Sequence, residues 1–421
     1  MEINLQNFFN QKDSYLIYLD RNRKASWEFY EPFIKKSFLP KINYSTISEY
    51  KGCDYFIHLE VDNWELDGKE FWEFYNTLDI SSVVMRCRVL RFLEQEKARN
   101  LIQRCIAYFI RFFKNHHFDK IVAFSVDRYT KDILFSYCRF KKIQIVGIGG
   151  SFILNTKRVT NFGEQNFVNS IDQSEVDKIY SRLKLSHEAV GRPDITKARK
   201  DACKYYFSLI TRYLWYYLVK HKILDMHNYD YILPATQLDS LLYSNFLKPN
   251  KFFDYFEDNI SEVIEVKNKV YIPLHFYPEA TVEYWCDASE KSFYLDSLCE
   301  VASFYKDIGI EVYFKEHPAM YLRRPEFFYK RLKRIGNVKI IWPFVDTIEL
   351  LKYFDKVVVW TGTTGIEAAV NGKNVYLYSK NYWDNGFFKD WKCINEESLV
   401  SVNESKLIIK KFLENLIYDT K

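Results

Sequence analysis

Short apolar runs alternate along the chain with stretches in which apolar residues recur every three or four positions, the marks of strands and amphipathic helices. In the first half, residues 15–20 (YLIYLD), 55–60 (YFIHLE), 83–88 (VVMRCR), 120–124 (KIVAF) and 143–148 (IQIVGI) read as strands, and residues 94–114 and 130–140 as helices. Residues 171–224 read as mostly helical, and 229–234 (YDYILP) as a further strand. The second half is more regular. Strands at 270–276, 311–315, 338–341, 356–360 and 375–378 alternate with helices at 291–305, 325–335, 347–354 and 365–370, and a last helix covers 407–417. Such alternation predicts an α/β fold in which largely parallel sheets carry helices on both faces.

The pattern is interrupted by charged and polar residues near 248–268, which places a boundary there. The expected organisation is an N-terminal α/β domain over 1–255 with a helical insertion at about 171–224, a Rossmann-like domain over 256–400, and a C-terminal helix over 401–421. Two Rossmann-like doubly wound domains facing a cleft predict a ligand between them.

Composition narrows the function. The chain has 421 residues, 48% of them apolar, enough for two cores. Its net charge of +5 is spread among interspersed acidic and basic residues, which gives no ground for a nucleic-acid partner. Eight cysteines at 53, 87, 105, 138, 203, 286, 299 and 393 include no C-x-x-C pair, so neither zinc nor a disulfide framework is expected, and a reduced, cytoplasmic protein is. No basic segment followed by an apolar core opens the chain, and no run of 18 apolar residues occurs, so neither a signal peptide nor a membrane span is expected. Residues 205–224 (YYFSLITRYLWYYLVKHKIL) are the most aromatic stretch. They fit a helix on a membrane surface, with Arg212, Lys220 and Lys222 reaching headgroups, or a core helix with a basic end.

Candidate chemistry lies where strands end. Thr361, Gly362, Thr363, Thr364 and Gly365 follow one strand and open a helix, in a chain with only 13 glycines. Backbone amides at such a point suit an anion, and the threonine hydroxyls add donors. A capping box from Thr364 to Glu367 is the alternative explanation, resting on helix stability alone. Lys315-Glu316-His317-Pro318 follows another strand, where His317 can donate to a phosphate oxygen or act as a general acid. His275 and Glu279 follow a third. In the first half, Asp127 sits where an N-cap or a catalytic carboxylate would, Arg128 can pair with a carboxylate or phosphate, and Gly149, Gly150 and Ser151 follow the next strand. Neither D-x-D, H-E-x-x-H nor G-x-S-x-G occurs, and no metal site is expected.

In order, His275 with Pro278-Glu279-Ala280-Thr281, then Lys315-Glu316-His317-Pro318, then Thr361-Gly362-Thr363-Thr364-Gly365 with Glu367-Ala368-Ala369, resembles bacterial capsule and surface-polysaccharide biosynthesis proteins. These are the KpsS/KpsC-like glycosyltransferases that use CMP-activated ulosonic acids. The resemblance covers about residues 268–380 and weakens before them, where Asp127-Arg128 looks like the family's Gly-Asp-x-Arg element with Val126 in place of Gly.

It implies a GT-B-like architecture with the donor nucleotide on the C-terminal domain and the acceptor on the N-terminal one. It further implies that His275, Glu279, Lys315, His317, the loop from Thr361 to Gly365 and Glu367 bind the nucleotide, with His317 and the loop on the CMP phosphate and Glu367 on ribose or base. Asp127 would be the catalytic carboxylate, as base or nucleophile. Arg128 or Lys131 would meet the carboxylate of the sugar. No cofactor or metal is implied, since the CMP-sugar is itself the donor substrate. The acceptor would be a glycan or glycolipid, reached from the cytoplasm at the inner face of the membrane. A UDP- or GDP-sugar transferase, and a non-catalytic assembly or export partner, are the alternatives.

Overall fold

A computed structural model of the protein describes residues 12–20, 43–49, 52–59, 68–151, 153, 156–168, 170–185, 194–219, 253–257, 266–287, 293–380, 382–384 and 386–418. Among these, the strands in chain order are β1 (Ser14–Tyr18), β2 (Asn43–Ser48), β3 (Tyr55–Phe56), β4 (Lys120–Phe124), β5 (Gln144–Gly150), β6 (Thr156–Val159), β7 (Lys269–Pro273), β8 (Glu311–Lys315), β9 (Val338–Ile341), β10 (Lys356–Val359), β11 (Asn374–Leu377), β12 (Lys389–Asp390) and β13 (Leu416–Tyr418). They form two sheets, one in each of two α/β units.

The first unit comprises Met1–Ser170, Trp215–Thr236 and Glu414–Lys421. Its sheet runs β13-β6-β5-β4-β1-β2-β3. The strands from β5 to β3 are mutually parallel, whereas β6 is antiparallel to β5 and to β13. The chain order reverses between β1 and β4, which makes their shared carboxyl edge the switch point of the sheet. The helix Gln95–Asn115 covers the sheet with Leu101, Ile102, Cys105, Ile106, Phe109 and Phe112, spaced three and four apart.

The second unit comprises Ile171–Leu214 and Gln237–Leu413. Its sheet is parallel throughout, in the order β12-β11-β10-β7-β8-β9, and reverses between β7 and β10. A parallel sheet is buried on both faces, so its strands read as unbroken apolar runs. Val270, Ile272, Val312, Phe314, Val358 and Trp360 pack with Leu298, Val301, Tyr305, Tyr329 and Leu332 of the flanking helices.

Several expectations are corrected. Residues 83–86 of the run at 83–88 close a helix, Ile80–Arg86, whose N-cap Asp79 accepts the amide of Ser82 at 3.0 Å, and Cys87 caps its end. A short apolar run suits either element, and the cap decides. β2 is mostly polar and leads in exposed, and β6 carries Arg158, buried with its Nε donating to Asn415 Oδ1 at 3.1 Å; neither has the apolar pattern of a strand. The last helix is Val402–Glu414, earlier than 407–417. Asn415 ends it by donating to the carbonyl of Val159 at 2.8 Å, and the chain continues as β13 of the first unit.

The helical region beginning at residue 171 divides differently from the expected insertion. Ile171–Leu214 packs in the second unit: Asn371 donates to Leu183 at 3.3 Å, Ala202 lies in the second core, and the Tyr206 hydroxyl donates to the carbonyl of Leu322 at 2.7 Å. The strand expected at 229–234 lies outside the described residues.

Candidate functional site

In the second unit the loops after β7, β8 and β10 leave the same edge of the sheet, at and beside its switch point. Ligands of doubly wound sheets bind at such an edge. The β7 loop carries His275, the β8 loop His317, and the β10 loop the residues from Thr361 to Gly365.

His275 is nearly buried. Its amide donates to the Tyr294 hydroxyl at 2.7 Å, and its carbonyl accepts Arg324 Nη2 at 2.7 Å. Its ring lies over the β10 loop: a Cβ added to Gly362 would stand 3.3 Å from His275 Cε1 and 3.4 Å from Nε2. Glycine at 362 thus admits the imidazole. Burial, then the neighbouring His317 and Arg324, push the His275 pKa down to about 3, so the ring is neutral near pH 7.

His317 caps one turn of 3-10 helix, Pro318–Met320, its Nδ1 accepting the amide of Ala319 at 3.1 Å. A neutral ring in that arrangement carries its proton on Nε2, as a donor. Lys315, the last residue of β8, is buried. Burial lowers its pKa to about 8 against the pull of Glu316, Glu367 and Asp346.

The β10 loop is partly open: Gly362, Thr363 and Thr364 are half-buried. The hydroxyl of Thr361, expected as a ligand donor, instead ties the loop to the carbonyl of Thr281 at 2.8 Å. Glu279, half-buried, accepts the Thr281 hydroxyl at 2.8 Å, so the residues after β7 and β10 are joined. The amides of Gly365 and Ile366 turn back on the carbonyls of Gly362 and Thr363, at 3.3 and 2.9 Å. Among the described residues, the amides of Gly362, Thr363 and Thr364 donate to no backbone carbonyl of the protein.

The capping box does not form. The N-cap of Thr364–Val370 is Thr363, without a side-chain cap, and Glu367 is fully buried and electrostatically coupled to Lys315 and Tyr271. Gly365 has a packing cause, since a Cβ there would stand 2.5 Å from Trp383 Cζ2. Gly365→Ala should therefore destabilise the second unit by about 1–3 kcal/mol, measurable as a lower chemical denaturation midpoint.

In the first unit the carboxyl ends of β4, β1 and β2, adjacent in that order, carry Asp127, Asp20 and Glu49. Two buried cations from the start of the helix Tyr129–Phe140 hold them. Lys131 Nζ is 2.7 Å from Asp127 Oδ1 and 2.8 Å from Asp20 Oδ1. Arg128 donates to Glu49 at 2.8 Å and lies 3.3 Å from Asp127 and 3.5 Å from Asp20. Burial would raise the Asp127 pKa, but Lys131, then Arg128, outweigh it and hold the carboxyl well below the usual carboxylate range.

Asp127 is therefore not an N-cap: that position falls to Arg128, and the Asp127 carboxylate faces the cations. Lys131 is wholly buried on two protein carboxylates, where a substrate carboxylate had been expected. Asp20 and Glu49 escaped the sequence reading. The acid ending the run YLIYLD was a signal for the first, whereas nothing local marks the second.

Residues 249–395 match the family of capsule polysaccharide biosynthesis proteins. No curated protein matches the chain. Among solved structures, the chain is similar to the β-Kdo 2,7 transferase of Thermosulfurimonas dismutans KpsC, at 10% identity and a TM-score of 0.40, over 97% of this chain and 92% of that one. The β-Kdo 2,4 transferase of the same KpsC matches at 15% identity and a TM-score of 0.37, over 72% and 81%. A UDP-GlcNAc 2-epimerase from Neisseria meningitidis matches at 11% identity and a TM-score of 0.26, over 96% and 100%. The matched residues 249–395 hold His275, His317 and the loop from Thr361 to Gly365, so the likeness to capsule polysaccharide biosynthesis proteins falls on the part of the chain that carries this edge of the second sheet.

Proposed function

We propose that the protein is a glycosyltransferase that moves a Kdo- or nonulosonic-acid-type sugar from its CMP-activated form to a surface-polysaccharide or glycolipid acceptor, without a metal ion. The observation that carries this reading is the meeting of His275, His317 and the open amides of the β10 loop at the carboxyl edge of one parallel sheet. The family match to residues 249–395 supports the same pathway.

A CMP leaving group carries one phosphate. As its bond to the anomeric carbon breaks, negative charge grows on the phosphate oxygens. Fixed donors at that point favour the transition state over the ground state. In this reading the Nε2–H of His317 and the amides of Gly362, Thr363 and Thr364 are those donors, while Glu279 and Lys315 border the nucleotide. Glu367, being buried, acts through Lys315 rather than on ribose.

Asp127 is the catalytic carboxylate. A carboxylate kept ionised by two cations is a weak proton acceptor, which favours a nucleophile or charge stabiliser over a general base. Arg128 and Lys131 serve by holding it. Saturation-transfer NMR with CMP, UDP and GDP tests the reading: CMP should give the strongest signal, and His317→Ala should reduce it. A preference for UDP or GDP would support the alternative transferase, and no nucleotide signal the non-catalytic one.

The acceptor side of the proposal includes the inner face of the cytoplasmic membrane. No described helix is long and apolar enough to cross a membrane. The helix Ile195–Val219 does expose Phe207, Ile210, Leu214 and Leu218 along one stripe, continued toward its start by exposed Lys200 and Lys204. An apolar stripe beside lysines suits an anionic bilayer. Vesicles containing phosphatidylglycerol should bind the protein, pure phosphatidylcholine vesicles should not, and Phe207→Ser with Leu214→Ser should weaken binding about tenfold.

A further inference from the structure

One buried ion pair touches the main chain of both histidines. Glu316 is fully buried and Arg324 nearly so. The Glu316 carboxylate accepts Arg324 Nε at 2.6 Å, Arg324 Nη2 at 2.8 Å, the Tyr329 hydroxyl at 2.6 Å and the amide of His317 at 2.6 Å. The same Nη2 donates to the carbonyl of His275 at 2.7 Å. Phe328 lies under the guanidinium, 4.4 Å from its ring centre.

We propose that Glu316 and Arg324 are positioning residues that fix the main chains of His275 and His317 at one spacing, so that both imidazoles serve a single phosphate. The proposal rests on reading this edge of the sheet as the CMP site. Three observations support it. Glu316 and His317 are adjacent in an extended chain, so their side chains diverge: one enters the core while the other leaves it. The guanidinium is a rigid planar fork, and it spends one edge on the carboxylate while reaching the β7 loop from the same nitrogen. A buried ion pair is also a poor device for stability alone, since well-packed apolar residues of similar size do as well or better. Here the pair spans two loops at the place where their separation matters.

Lysine at 324 keeps the charge but lacks the fork, and glutamine at 316 keeps the shape but lacks the charge. The test measures CMP affinity by calorimetry for the full chain, well below each protein's melting transition, for the wild type, Arg324→Lys, Glu316→Gln and Val301→Ala. Val301 lies in the same core and contributes only packing, so it reports what lost stability does to affinity. Arg324→Lys and Glu316→Gln should each weaken CMP about tenfold or more, with Val301→Ala unchanged. Affinities for both charge variants within about twofold of wild type would overturn the positioning role. So would parallel losses in all three variants, or failure of both charge variants to fold, since either result assigns the pair to stability. A wild type that binds no CMP would overturn the nucleotide reading, and this inference with it.

Discussion

Lys131→Met should destabilise the first α/β unit by about 3 kcal/mol, the low end for breaking a buried pair, seen as a lower urea midpoint. The ammonium is wholly buried between Asp20 and Asp127, at 2.8 and 2.7 Å, so its removal leaves two carboxylates facing each other. Both acids retain some solvent, which keeps the cost from the upper end of that range.

The loss has a definite pH dependence. Burial, the largest influence, would raise the Asp127 pKa, yet Lys131 and Arg128 together hold it below its unfolded value of about 3.9. A carboxyl depressed on folding contributes stability that is complete above the unfolded pKa and is lost as pH falls through the folded one. Acid should therefore unfold the wild type only well into the range below about pH 4. Lys131→Met, lacking the strongest opposing charge, should unfold at a higher pH. Equal acid midpoints for the two proteins would show that the pair is not coupled to folding.

Asp127→Asn should lower sugar transfer by about 10²–10⁴-fold while leaving nucleotide affinity unchanged. The amide keeps the shape and cannot act as base or nucleophile. The fold should survive, because one negative charge leaves a cluster where three carboxylates face two buried cations. The expected signature is a fall in kcat with CMP binding intact. Wild-type turnover by the Asp127→Asn variant would move the chemistry elsewhere, with Glu49 the next candidate because it lies on the same edge and pairs with Arg128.

The second unit was legible in the sequence because its strands are buried on both faces. β8 and β9 coincide with the apolar runs that marked them; His275 lies near the end of the run at 270–276, and His317 and Gly362 each come two residues after the end of theirs. The first unit was harder for physical reasons. β6 is antiparallel and carries a buried arginine whose Nε donates to the side-chain oxygen of Asn415, far away in the chain. Residues 83–86 are helical, in a helix whose cap at Asp79 lies outside the run.

The candidate sites divide in the same way. Positions at strand ends could be read one strand at a time. The gathering of Asp20, Glu49 and Asp127 could not, because it requires the order β4-β1-β2, which crosses the chain order. Nor could the bond from Arg324 to the carbonyl of His275, since a main-chain acceptor leaves no trace in residue identity.

The most direct measurement is a crystal structure of the protein soaked with CMP. The phosphate should lie within hydrogen-bonding distance of His317 Nε2 and of the amides of Gly362, Thr363 and Thr364, at the edge formed by the ends of β7, β8 and β10. Density for CMP elsewhere, or a phosphate that touches neither His317 nor that loop, would contradict the account.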